Sequence, residues 1–195
     1  MVISRVWAMP NKNTFDILPI KNLLRRYLGW DGVKQGVIVD PFANKSLWGT
    51  IRNDLNPDFD TQYHMDALKF LETLGSETAD VVLYDPPFSI HQAVECYKSF
   101  GKDKLTTNVS SMRYWKLCKD NVARILKPYG IAVCCGWTSQ GMGKGRNFDM
   151  LEILLVAHGG SKNDTIVTVE RKLPQSYVQQ NIFDDLDGLV VENGR

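Results

Sequence analysis

Residues 81–89 read VVLYDPPFS, an apolar run that ends on an acid, two prolines and an aromatic ring. Proline after an apolar run is a common way to end a strand. A carboxylate followed by two residues of fixed φ is also a rigidly aimed hydrogen-bond acceptor. Three further acids stand at comparable places upstream. Asp40 closes GVIVD, Asp54 follows a short run at 49–53, and Asp66 follows a third at 62–65. Each alone is an ordinary turn or cap residue. Together, Asp40, Asp54, Asp66 and Asp85 mark four successive expected strand ends, and open α/β sheets bind ligands beyond their strand ends. Asp54 lies 14 residues after Asp40, where a carboxylate accepts the hydroxyls of a ribose in dinucleotide-binding sheets. The intervening loop, DPFANKSLWG, has no G-x-G-x-x-G and no P-loop lysine. A pyrophosphate needs amides that glycines bring close, so the pattern favours a nucleoside ligand without phosphates.

Those acids need a sheet to hold them. GVIVD at 36–40, DVVLYD at 80–85, IAVCC at 131–135 and EILLVAHG at 152–159 are continuous apolar runs without period-2 alternation, the pattern of strands buried on both faces. Helices are expected at 17–28, 66–75 and 111–128. The last has Tyr114, Leu117, Cys118, Val122, Ile125 and Leu126 at helical spacing and a stop at Pro128 and Gly130. TIVTVERK at 165–172 follows the turn GGSKND and is expected to pair antiparallel with EILLVAHG as an edge hairpin. Strands alternating with helices predict an α/β fold, a Rossmann-like, mostly parallel doubly wound sheet with an antiparallel C-terminal hairpin. The expected domain spans 1–174, followed by a polar tail at 175–195, with no separate target-recognition domain.

Composition bounds the rest. The 195 residues suit one domain, and 44% hydrophobic with 23% charged residues describe a folded chain. A net charge of +1 gives no basic surface overall, so any nucleic-acid contact must be local. Cys96, Cys118, Cys134 and Cys135 lack CxxC spacing and read as small apolar residues of a reducing compartment. No apolar segment is long enough for a membrane span or a signal peptide, which predicts a cytoplasmic protein without a membrane partner. His64, His91 and His158 are scattered singly, so no metal site is expected.

The ordered set VIVDPFAN, IRNDLNP, HMDALKF and VVLYDPPF resembles the successive motifs of S-adenosylmethionine-dependent amino-methyltransferases. DPPF resembles the D-P-P-[YFW] motif of DNA adenine-N6 methyltransferases. MPNKNTFDILPIKNLLRRYL resembles the methionine-binding segment that stands N-terminal in one circular arrangement of that family. CGWTSQGMGKGRNF with the two strands after it is similar to small phage and prophage adenine methylases. The resemblance implies S-adenosyl-L-methionine as cofactor and adenine in DNA as methyl acceptor. It implies Asp85, Pro86, Pro87 and Phe88 as the catalytic set, with Phe88 stacking on a flipped-out base. Thr14 and Phe15 would hold the methionine end, Asp40, Phe42 and Ala43 the methionine and adenosine region, Asp54 the ribose and Asp66 the adenine amine. The pattern departs after Phe42, where Asn44 and Ser46 stand in the neighbourhood of the family's glycines. An RNA base N-methyltransferase and a non-catalytic methyltransferase-like binding subunit are the alternatives. Target recognition would come from a homodimer or a partner subunit.

Four further features have a bland reading, and two of them a sharper one as well. GMGKGR at 141–146 suits a solvated or a phosphate-contacting loop, KSFGKDKL at 98–105 exposed charge or a lid, and RRYLGW at 25–30 a helix packed on the sheet. Trp137 reads as an apolar anchor.

Overall fold

The computed structural model describes residues 1–29, 36–99, 111–143, 145–160 and 162–174. The strands are β1 (Val2–Trp7), β2 (Ile38–Asp40), β3 (Ile51–Arg52), β4 (Ala79–Tyr84), β5 (Leu126–Gly136), β6 (Phe148–Ala157) and β7 (Thr165–Lys172). The helices are α1 (Leu18–Leu28), α2 (Ala67–Thr73), α3 (Ile90–Ser99) and α4 (Met112–Ile125), and a 3-10 turn at Thr14–Asp16 precedes α1. One seven-stranded sheet runs in the order β1-β6-β7-β5-β4-β2-β3. All neighbours are parallel except β7, which is antiparallel to both β5 and β6.

The expected α/β sheet with an antiparallel hairpin is therefore the observed one. The hairpin, however, is not at an edge. β7 inserts between β5 and β6, and the edge beyond β6 is taken by β1, which the sequence did not disclose. Every side chain of β2 is buried, as are five of the six in β4. Two apolar layers sandwich them. Ile20, Leu23, Leu24 and Leu28 of α1, one stripe of a helix, pack on one face with Ile38, Leu83 and Val133. Tyr114, Cys118, Val122 and Ile125 of α4 pack on the other with Val39, Val82 and Cys134.

Other boundaries shift for physical reasons. α4 stops at Ile125 rather than Pro128, and β5 begins at once. Proline disfavours the helical region for the residue before it, so the helix must end ahead of Lys127, and Leu126 is already extended at φ −68, ψ 136. Pro128 and Gly130 lie instead at an irregularity in β5, where Tyr129 has φ 65 and the register against β4 shifts. The expected strand at 62–65 reduces to a bridge between Asn53 and Tyr63. The Gln62 side chain takes the neighbouring ladder positions, accepting from the Arg52 amide at 2.9 Å and donating to the Thr50 carbonyl at 3.1 Å. Asp66 consequently ends no strand and caps α2.

α3 was also unforeseen, although S-I-H-Q at 89–92 has the form of a capping box. Ser89 Oγ accepts from the Gln92 amide at 3.2 Å, and Gln92 Oε1 accepts from the Phe88 amide at 2.7 Å. Most of KSFGKDKL, along with Trp30, Lys144 and the tail 175–195, lies outside the described residues.

Candidate active site

Alternation of side chains along β4 sends consecutive residues at its end to opposite sides of the sheet. Two clefts meet there. The first, about 360 Å³, is lined by Lys12, Asn13, Thr14, Phe15, Asp16, Lys21, by Phe42 to Trp48, and by Asp85. The second, about 280 Å³, is lined by Tyr84, Pro86, Pro87, Phe88, Trp115, Lys119, by Cys134 to Thr138, and by Gly141. Thus Thr14, Phe15, Phe42, Ala43 and Asp85 come together in one cleft, and Pro86, Pro87 and Phe88 in its neighbour. Asp40 lies beneath the first, while Asp54 and Asp66 line neither.

Asp85 is half-buried, and the protein mass around its carboxyl raises its pKa to about 6 while Thr14 draws it back toward the ionised form. Asp40 is fully buried. Its burial raises its pKa to about 8; the Phe42 amide opposes that shift, and the nearby Asp85 carboxyl adds to it. Oδ1 of Asp40 accepts from the Phe42 amide at 3.2 Å, whereas Oδ2 is buried and without a hydrogen-bond partner among the described residues. Two crowded carboxyls held partly protonated form an environment that a cationic ligand group stabilises.

Asp54 and Asp66 have local duties. Asp54 Oδ2 accepts from the Asn44 amide at 2.8 Å and Oδ1 from the Asn56 amide at 2.9 Å. Burial nonetheless raises its pKa, with those amides opposing the shift. The first of these bonds shapes the loop that departs from the family's glycines. Asn44 has φ 49, a left-handed conformation that asparagine tolerates better than most residues, and Ser46 requires none. Asp66 Oδ1 accepts from the amides of Leu68 and Lys69 at 3.1 and 3.2 Å, and its Oδ2 from Tyr114 Oη at 2.8 Å.

Several positioning residues were missed. Buried Asn53 donates to the carbonyls of Pro41 and Met65 at 3.1 and 3.0 Å and accepts from the Met65 amide at 3.1 Å, joining three strand-end loops. Gln92 fixes the Phe88 backbone, as above. Trp115 packs on Phe42 at 6.3 Å between centroids and also lines the second cleft, so it forms a wall common to both regions. Trp137 is 40% exposed, not a buried anchor, and meets Phe88 edge to face at 6.0 Å.

Other stretches singled out in the sequence resolve into structural roles. Arg146 of GMGKGR turns inward to Asp120 at 2.8 Å and to the Met142 carbonyl at 2.6 Å. Arg26 and Tyr27 of RRYLGW hold the buried Glu152 at 2.5 and 3.0 Å. His158 bridges the Ala8 carbonyl and Thr165 at 2.8 and 2.9 Å. Among the described residues no group of three His, Cys, Asp or Glu is placed to hold a metal ion, and no helix is long and apolar enough to cross a membrane.

No protein-family model and no curated sequence matches the chain. Solved structures do match its fold. TrmN from Thermus thermophilus aligns with TM-score 0.53 and 15% identity over 80% of this chain and 49% of that one. A 1,6-didemethyltoxoflavin-N1-methyltransferase from Burkholderia thailandensis, solved with bound 1,6-didemethyltoxoflavin and S-adenosylhomocysteine, aligns with TM-score 0.53 and 13% identity over 80% and 77%. The N-methyltransferase NodS from Bradyrhizobium japonicum aligns with TM-score 0.50 and 11% identity over 79% and 94%.

The chain has the Rossmann-like methyltransferase fold. At these identities the likeness is one of fold, and this chain spans about half the length of TrmN. In such a sheet the expected ligand position is the crevice beyond the parallel strand ends, and both clefts of this methyltransferase fold open there.

Proposed function

We propose that this chain is an S-adenosylmethionine-dependent methyltransferase acting on the exocyclic N6 amine of adenine in DNA, through a methyltransferase domain spanning residues 1–174. The observation that carries the reading is the division of DPPF between two adjoining clefts, with Asp85 in the polar one and Phe88 in the aromatic one. The resemblance of the ordered motifs, and the bound S-adenosylhomocysteine of a fold neighbour, support the choice of cofactor.

The first cleft fits such a donor in chemistry. Asp40 and Asp85 favour a cationic group beside them, and Lys12, Lys21 and Lys45 line the same cleft as counterparts for a carboxylate. Thr14, Phe15, Phe42 and Ala43 would hold the donor there. Asp54 and Asp66 would reach it only through lone pairs left over from their bonds to backbone and Tyr114. When bound, the donor supplies an electrophilic methyl group.

The acceptor base would enter the second cleft, its ring against Phe88. Ionised Asp85 would accept from the N6–H, helped by the Pro86 carbonyl. That contact favours the pyramidal amine geometry in which the lone pair is available for attack. A preorganised acceptor aimed at developing positive charge lowers the barrier as an oxyanion hole does for negative charge. The methylated, positively charged amine is acidic and loses its proton without a strong base.

The test is to incubate the chain with donor carrying a labelled methyl group and either DNA or RNA, followed by digestion to nucleosides. Label in N6-methyl-2′-deoxyadenosine from DNA is expected. Label from RNA alone would favour the RNA alternative, and donor binding without transfer would favour the non-catalytic one.

A further inference from the structure

The crossover that leaves β5 walls the aromatic cleft before it turns inward. Trp137, Thr138 and Gly141 line that cleft, and residues 137–140 are exposed. Gly141 and Met142 are then buried, and Met142 packs in the core on the α4 side of the sheet. Three charged side chains hold this turn, each from a different segment. Glu170 of β7 accepts from the Met142 amide at 2.7 Å, Lys119 of α4 donates to the Gly141 carbonyl at 2.5 Å, and Arg146 donates to the Met142 carbonyl at 2.6 Å.

Glu170 stands out among the three. It is 3% exposed and lies opposite Ala132 of β5, on the face where Ala132, Cys134 and Met142 form apolar core. A buried carboxylate costs stability that an apolar side chain of similar size would not. Burial raises its pKa, while the Met142 amide, the Thr168 hydroxyl and Lys119 oppose the shift. The carboxylate lies so close to Gly141, at φ 51, that a Cβ there would stand 2.0 Å from its Oε2. Glycine at 141 and glutamate at 170 are thus fitted to one another.

We propose that Glu170 is a positioning residue for the acceptor cleft: with Lys119 it pins the Gly141–Met142 turn and so sets the wall formed by residues 137–141. The assignment rests on the acceptor role proposed above for the second cleft. At its other end the wall is fixed by β5, where Gly136 pairs with Ile166 of β7. A short segment tied at both ends loses most of its conformational freedom. Its one large side chain, Trp137, meets Phe88 edge to face at 6.0 Å, and the clamp therefore acts on the aromatic pair that would receive a base. Lys119, the one cation among the described residues lining this cleft, is held at the same point. The polar cleft shares none of these residues, so loosening the clamp acts on the acceptor alone.

Fluorescence anisotropy with labelled adenine-containing DNA and RNA oligonucleotides reads acceptor affinity, and calorimetry with S-adenosylhomocysteine reads the polar cleft. Glu170→Ala is expected to weaken oligonucleotide binding about tenfold, the worth of part of one base-stacking contact, with S-adenosylhomocysteine affinity unchanged. Glu170→Gln keeps an acceptor for the Met142 amide and should restore binding. Hydrogen exchange at the Met142 amide should be fast in Glu170→Ala while the amides of β5 and β7 stay protected. Gly141→Ala crowds the carboxylate from the cleft side and should repeat the loss, which keeps the test available if Glu170→Ala does not fold. Unchanged oligonucleotide affinity in Gly141→Ala or Glu170→Ala overturns the proposal. So does an equal loss of both affinities, or a Glu170→Gln variant that binds no better than Glu170→Ala. A wild type that binds oligonucleotide without transferring methyl fails the proposed activity alone, because affinity still reads the clamp, whereas one that binds neither nucleic acid overturns both.

Discussion

On one side of the β4 terminus Lys12, Lys21 and Lys45 share a cleft with Asp16, Asp85 and two asparagines. On the other, Phe88, Trp115 and Trp137 enclose one of similar size. The first suits a charged ligand held by polar contacts, the second a flat ring held by its faces. They differ because strand alternation gives Asp85 to one and its neighbours to the other. Chemistry that needs both ligands is then confined to the few atoms between them. Variants on either side therefore separate what each cleft contributes.

Asp85→Ala should have the largest effect, lowering the rate of methyl transfer by about 10²–10³-fold, as loss of one preorganised contact in an active site does. Calorimetry should find donor binding changed by only a few-fold, and loss of that binding instead would mean that the polar cleft depends on Asp85 for affinity. Phe88→Ala should raise the nucleic-acid KM by about 10–100-fold, since base stacking is worth about 1–3 kcal/mol. Phe88→Tyr should restore it, and an unchanged KM would show that the aromatic cleft does not hold the base.

The pH profile distinguishes the clefts more gently. Asp85 accepts only when ionised, so with a pKa of about 6 the value of kcat/KM should fall as pH drops through 6, by about tenfold at pH 5. Phe88→Ala should retain that inflection and Asp85→Asn should lack it. The smallest effect concerns the loop that lines the polar cleft. Asn44→Ala at φ 49 should cost about 1 kcal/mol of stability in denaturant titration, while Asn44→Gly should be close to neutral. Equal stability of the two would mean that the loop relaxes away from the left-handed form.

What the sequence disclosed follows the same physics. β2 and β4 are buried on both faces, so GVIVD and DVVLYD read as unbroken apolar runs. β1 is half open to solvent and mixes serine and arginine with valine, so VISRVW shows neither a continuous run nor a polar alternation. Thr14, Phe15, Phe42, Ala43 and Asp85 of the first cleft and Pro86, Pro87 and Phe88 of the second were singled out in the sequence, while the lysines of the first and Trp115 of the second were not. The duties of Asp54 and Asp66 were not, because whether a carboxylate is spoken for by backbone amides depends on loop paths that spacing does not encode. Asn53 was invisible for the same reason, since its two partner residues, Pro41 and Met65, lie 12 residues away on either side.

The pairing of β1 with β6 places Val2 beside Glu152. In a chain made from its N-terminus, the first strand to emerge therefore waits for one of the last. At about 5–20 residues per second that interval is on the order of ten seconds, during which Val2–Trp7 has no strand partner. The helical face of α1 and the β2–β4 ladder form from segments that emerge sooner. Assembly of this sheet during synthesis thus runs from the β3 edge toward the β1 edge, and β1, made before the other strands, is among the last to dock.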